Sequence, residues 1–110
     1  MGRYITTTGT AGVTTKTVSG SVDAVVNDRL LVDTSGGAYT ITLPANATLL
    51  VDDTIQIIDI ANNAASNNIT VARNGSEIND AADNLTIDVN GAIVTLIYSG
   101  STYGWIVGAV

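Results

Sequence analysis

The sequence predicts an all-β protein, an antiparallel β-sandwich or jelly-roll-like single domain with an extended N-terminal arm. Apolar and polar residues alternate with a period of two in several segments, turn residues recur about every ten positions, and no segment has the spacing of a long helix. The chain has 110 residues, of which 45% are hydrophobic and 13% charged, and this suits one folded domain. We expect residues 1–20 to form the arm and residues 21–110 to form the sandwich domain.

Eight segments have the composition and spacing of strands. They lie at residues 21–26, 29–33, 39–43, 54–60, 69–72, 85–89, 92–98 and 103–107. Pro44 ends the third segment, because proline has no N–H to donate to a β-ladder. In the fourth segment, either Ile55 and Ile57, together with Asp59, or the residues of the opposite parity face the core. Residues 45–50 can hold one short helical turn.

The turns between these segments give further expectations. Asn90 and Gly91 predict a type I′ turn, and therefore a hairpin between residues 85–89 and 92–98. The run 92–98 is almost continuously apolar, which suggests a strand covered on both sides. No fixed short period recurs along the chain, and this disfavours a repeated β-solenoid.

The first twenty residues differ in composition from the rest of the chain. They contain seven of the sixteen threonines, two basic residues and no acidic residue. Threonine favours extended backbone, and the segment has too few large apolar side chains for a core of its own. We therefore expect an arm that becomes ordered on a partner surface, with a frayed tail or a simple edge strand as the alternative.

Composition excludes several classes of function. The chain has 4 basic and 10 acidic residues, a net charge of −6, and neither histidine nor cysteine. An acidic chain is a poor ligand for nucleic acid or an anionic membrane, and no apolar run is long enough to span a bilayer. Without histidine or cysteine the chain lacks imidazole bases, cysteine nucleophiles and the usual zinc ligands. We expect no catalytic residue, no cofactor and no enzymatic activity.

Aspartates in turns are the only candidates for a metal or a hydrolytic site. They are Asp52, Asp53, Asp80 and Asp83. Calcium binds carboxylates that converge, but the usual calcium-loop spacing is absent, so we expect turn aspartates that bond their own backbone and no metal. A carboxylate pair that hydrolyses glycosides needs an aromatic groove, and the chain has only four tyrosines and one tryptophan.

The last strand segment carries the one aromatic cluster, formed by Tyr98, Tyr103 and Trp105. Tyrosine and tryptophan anchor interfaces because they combine a large apolar area with a polar group. The cluster is therefore either core packing around Trp105 or part of an interface with a partner.

Several segments together resemble a known family. Residues 27–44 read NDRLLVDTSGGAYTITLP, a strand, a turn and a strand that ends in Leu-Pro, and this phrase is similar to one in virion proteins of tailed phages. The segments DTIQIID, NITVARNG and LIYSG follow in the expected order. The whole chain resembles small structural proteins of cyanophages, the phages that infect cyanobacteria. The resemblance implies a β-rich domain, often trimeric, on a capsid or at the end of a fibre.

The expected function follows from this resemblance and from the length of the chain. We expect a capsid decoration or cement protein, a homotrimer on the capsid surface of the virion, which binds the major capsid protein and stabilises the shell. The alternative is a tail- or head-fibre module that adheres to the host surface. The side chains expected to attach the arm to the capsid are Arg3, Tyr4, Ile5, Val13, Lys16 and Val18.

Overall fold

A computed structural model of the chain describes residues 12–109. These residues form nine strands: β1 (Thr14–Val18), β2 (Val22–Asp23), β3 (Asp28–Val32), β4 (Tyr39–Thr42), β5 (Thr54–Asp59), β6 (Ile69–Ala72), β7 (Leu85–Ile87), β8 (Ile93–Tyr98) and β9 (Trp105–Ala109). Two 3-10 turns, Thr34–Gly36 and Asn46–Thr48, are the helical segments of the described chain, and the second confirms the short turn expected after Pro44. No helix in residues 12–109 is long and apolar enough to cross a membrane.

The strands form two mixed sheets. The five-stranded sheet has the order β9-β8-β5-β3-β1, and the four-stranded sheet has the order β2-β4-β6-β7. From β1 to β6, consecutive strands alternate between the two sheets, and their neighbours within each sheet are parallel. Strands β7, β8 and β9 then add in antiparallel pairs. The first part of the chain therefore winds as a parallel coil, and antiparallel strands complete both sheets.

The all-β class is confirmed, but the expectation of a purely antiparallel fold is wrong. The argument against solenoid-like winding is also wrong, because β1 to β6 wind in that way without a fixed period. Thr14 pairs with Asp28, whereas Arg29 pairs with Gln56, so the second turn of the coil is much longer than the first. Short strands alternate with a period of two whether their neighbours are parallel or antiparallel, so alternation does not reveal strand direction.

The expected hairpin at Asn90 and Gly91 is absent. Strand β7 pairs with β6 in one sheet and β8 pairs with β5 in the other, so the turn carries the chain between sheets. Gly91 alone of the two residues has a positive φ, 74°, whereas a type I′ turn needs a positive φ at both central positions.

Buried side chains from both sheets form one apolar core. The most deeply buried are Leu30, Val32, Ile41, Leu43, Ile55, Ile57, Ile69, Val71, Leu96 and Trp105. In β5 the inward residues are Ile55, Ile57 and Asp59, which decides between the two parities left open by the sequence. Strand β8 alternates between exposed and buried residues, so within this chain it is covered on one side only.

Strand β1 lies within the segment expected to form the arm. It is the edge strand of the five-stranded sheet and pairs in parallel with β3 from Thr14 to Val18. An edge strand was the alternative interpretation of this segment, and residues 14–18 have that structure. Residues 1–11 lie outside the described part of the chain, so an arm in that region stays a prediction.

Candidate interaction surfaces

The expected attachment residues fall into two groups. Arg3, Tyr4 and Ile5 lie outside the described residues. Val18 is half-buried and packs against the core. Val13 is also half-buried and, beside the start of β3, lines a small surface cavity.

Lys16 has a partner within its own chain. Its ammonium lies 2.8 Å from Asp28 Oδ1, in a contact that is an ion pair rather than an aligned hydrogen bond. Asp28 is almost fully buried, and its other carboxylate oxygen accepts the backbone N–H of Val25 at 2.9 Å. Removing the ammonium would leave a buried carboxylate without its counter-charge, which is costly. Lys16 therefore holds β1 against β3, whatever else it contacts.

The aromatic cluster divides between the core and the surface. Trp105 is fully buried, and its ring lies 5.4 Å from that of the buried Tyr98 in an edge-to-face arrangement. Such a pair stabilises the core. Tyr103, in the turn before β9, is 58% exposed. Of the three expected interface aromatics, only Tyr103 presents its side chain to a partner.

The turn aspartates mostly bond nearby backbone. Asp53 Oδ2 accepts the N–H of Leu50 at 2.8 Å. Asp33 accepts both the hydroxyl and the backbone N–H of Ser35, and these two hydrogen bonds hold the pKa of Asp33 below its usual value. Within residues 12–109 no three acidic side chains come close enough together to hold a metal ion.

Asp59 is a buried residue whose role the sequence did not identify. Its Oδ2 accepts three backbone N–H groups, from Asn63 at 2.9 Å, Ala64 at 3.0 Å and Gly91 at 2.9 Å. The carboxylate thus joins the loop after β5 to the turn before β8. The available signal was an acid at the inward parity of an isoleucine-rich strand, because a buried charge must be paired or hydrogen-bonded.

The outer side of the five-stranded sheet carries an exposed apolar surface. Ile58 of β5 pairs with Ile93 of β8, and Ile97 of β8 pairs with Ile106 of β9. These four side chains point away from the core around Thr95, and we call them the isoleucine face. Three of them, Ile93, Ile97 and Ile106, are 38%, 43% and 52% exposed. Contiguous exposed apolar surface of this kind marks interaction sites.

A polar ladder lies beside the isoleucine face. Arg29 Nε donates to Gln56 Oε1 at 2.8 Å, and Gln56 Nε2 donates to Thr95 Oγ1 at 3.1 Å. The three side chains belong to adjacent strands of the same sheet, so the ladder crosses β3, β5 and β8. The hydrogen bonds restrain these side chains and keep this part of the sheet surface ordered for contact with a partner.

A second apolar feature lies where β7 faces β8 and β9. It is a cleft of about 240 Å³, lined by Leu85, Thr86, Ile87, Asp88, Val89, Ala92, Val94 and Val107. Asp88 is its only titratable side chain. A cleft with one carboxylate and no second acid or base has no partner group for acid–base chemistry.

Comparison with known proteins identifies no relative. No protein-family model matches the chain, and no curated protein matches it.

Proposed function

We propose that this chain is a structural protein of a phage virion, a capsid decoration or cement protein that binds the major capsid protein and stabilises the shell. It acts as a homotrimer on the capsid surface and catalyses no reaction. The proposal begins from the resemblance of residues 27–44, and of the segments that follow them, to small cyanophage structural proteins.

The observation that carries the proposal is the kind of surface that the body exposes. Its exposed apolar residues lie on a flat sheet face and beside an aliphatic cleft, and its turn carboxylates are separated from one another. Flat apolar surface suits contact with another protein, whereas catalysis needs converging polar groups in a concave site. The surface therefore supports a structural role better than a catalytic one.

The position of β1 supports attachment through the N-terminal segment. Residues 1–11 join the body next to β1, at the edge of the five-stranded sheet. The described edge is polar and threonine-rich, and an extended segment that continues from it can add as a strand to a neighbouring sheet. Tyr4 and Ile5 supply apolar anchors, and Arg3 can pair with an acid on the shell.

One observation favours the alternative, an adhesive fibre module. Tyr103 is exposed in the turn between β8 and β9, where an aromatic ring can stack on a sugar or anchor a receptor. A single exposed ring is a small adhesive surface, so we place this function second.

We test the proposal by mixing the purified protein with capsids that lack it and separating bound from free protein by sedimentation. The full chain should bind, and deletion of residues 2–11 should abolish binding while leaving the circular dichroism strand signal unchanged. The deletion stops before β1 because loss of Lys16 would leave Asp28 without its ion-pair partner.

A full-length double variant, Tyr4→Ser with Ile5→Ser, is the matched control for length. It should bind much more weakly than the unmodified chain if the side chains anchor the arm. Full occupancy by the truncated protein would show that the body carries the contacts. Failure of the unmodified chain to bind any capsid would refute the decoration role.

A further inference from the structure

The isoleucine face is an unpartnered surface of the described structure. Its members come from three neighbouring strands, and direct pairing places Ile58 beside Ile93 and Ile97 beside Ile106. Their positions therefore follow from the register of the sheet, not from a flexible loop. Water gains by release from such a surface when another apolar surface covers it.

The charge distribution indicates what covers this face. None of the chain's 10 acidic residues occupies an outward position on the five-stranded sheet, although the net charge is −6. The one charged side chain on that surface of the sheet is Arg29, which lies on β3 and bonds to Gln56. A strongly cationic partner would be drawn to the acids elsewhere, and an anionic partner would find no cation among the four isoleucines. The face suits an uncharged apolar partner, and a second copy of this chain supplies one.

The sheet edge next to this face is partly occupied. The backbone N–H of Trp105 donates to Glu77 O at 2.8 Å, and that of Asn79 donates to Trp105 O at 2.7 Å. The side chain of Asn79 also accepts the N–H of Val107 at 3.1 Å. Because these contacts occupy the open edge of β9, another chain cannot simply extend the sheet there. Contact between copies is therefore expected through the face.

The size of the face suits a contact with more than one copy. Five strands spaced about 4.8 Å apart, each about five residues long at about 3.3 Å per residue, present roughly 400 Å². A standard interface buries about 800 Å² on each partner, so one pairwise contact of this size is weak. Around a three-fold axis each face contacts two others, and weak contacts then close into a ring.

We propose that the isoleucine face is the surface through which copies of this chain bind one another, and that the homotrimer closes around it. The inference rests on the proposed function for the trimeric state, whereas the surface itself is assigned from the structure. Like charges are kept away from the centre of the contact, and the acidic remainder of each subunit stays in solvent.

The test is the mass of the purified full-length protein over a dilution series, measured by analytical ultracentrifugation. The unmodified chain should exceed the monomer mass at high concentration and dissociate on dilution. Ile97→Glu should weaken assembly at least tenfold, because it brings like charges together at the centre of the contact. Ile106→Glu should do the same and serves as the second variant if the first does not fold.

Val89→Glu is the matched control. Its side chain is 63% exposed, lines the cleft outside the isoleucine face, and receives the same change from aliphatic to acidic. It should assemble like the unmodified chain. A monomer at every concentration, or unchanged assembly of the folded Ile97 and Ile106 variants, would overturn the proposal.

Capsid binding by the same variants separates this inference from the proposed function. If the Ile97 and Ile106 variants assemble normally but no longer bind capsids, the face binds the shell and the self-association proposal is wrong. If the assembly results are as expected but the unmodified chain does not bind capsids, the contact between copies stands and the decoration role fails.

Discussion

We expect Asp59→Ala to lower the free energy of unfolding by about 3 kcal/mol or more. The substitution removes the acceptor of three backbone N–H groups, and one donor, Ala64, is fully buried. Its N–H would lose its partner without gaining water. Urea unfolding followed by circular dichroism measures the change.

Asp88→Ala is the control for Asp59→Ala. Asp88 is also an aspartate next to a strand end, but its side chain is exposed. Removing an exposed carboxylate from an acidic chain should change stability by less than about 0.5 kcal/mol. Equal effects of the two substitutions would contradict the role assigned to the buried carboxylate.

Gly104→Ala should be at least as damaging, with a loss of about 3 kcal/mol or more. Gly104 has φ 72°, and a Cβ at this position would lie 2.0 Å from the carbonyl oxygen of Glu77. The obstacle is backbone, and the same carbonyl accepts the N–H of Trp105, so relief of the clash breaks that hydrogen bond. Thermal unfolding should show a decrease in Tm of more than about 10 °C.

Gly20→Ala provides the matched substitution. A Cβ on Gly20 would meet nothing within 4 Å, and its φ is not in the left-handed region. Its Tm should stay close to that of the unmodified chain. If Gly104→Ala were equally mild, the segment from Glu77 to Asn79 would not be packed against β9 as described.

Local patterns predicted the positions of the strands better than their partners. The alternation in β4 and its end at Pro44, the core position of Trp105 and the short turn at Asn46–Thr48 depend on neighbouring residues, and the sequence contains that information. Strand direction depends on which distant segments pair. The parallel coil was hidden because its turns differ in length.

The candidate surfaces were harder to predict for the same reason. Ile58, Ile97 and Ile106 come from three strands, and only the register between those strands places them on one face. The aspartate clamp depends on a turn more than thirty residues away, at Gly91. Each element had a local signal, such as the acid at inward parity in β5, but the signal did not name a partner.

The account's central claim is that this chain decorates a capsid. The most direct measurement is the ratio of this chain to the major capsid protein in purified virions, determined by quantitative mass spectrometry with labelled peptides of both proteins. A decoration protein should be present at a fixed ratio comparable to that of the capsid subunits. A ratio as small as that of the fibre proteins, or absence from the purified virion, would contradict the claim.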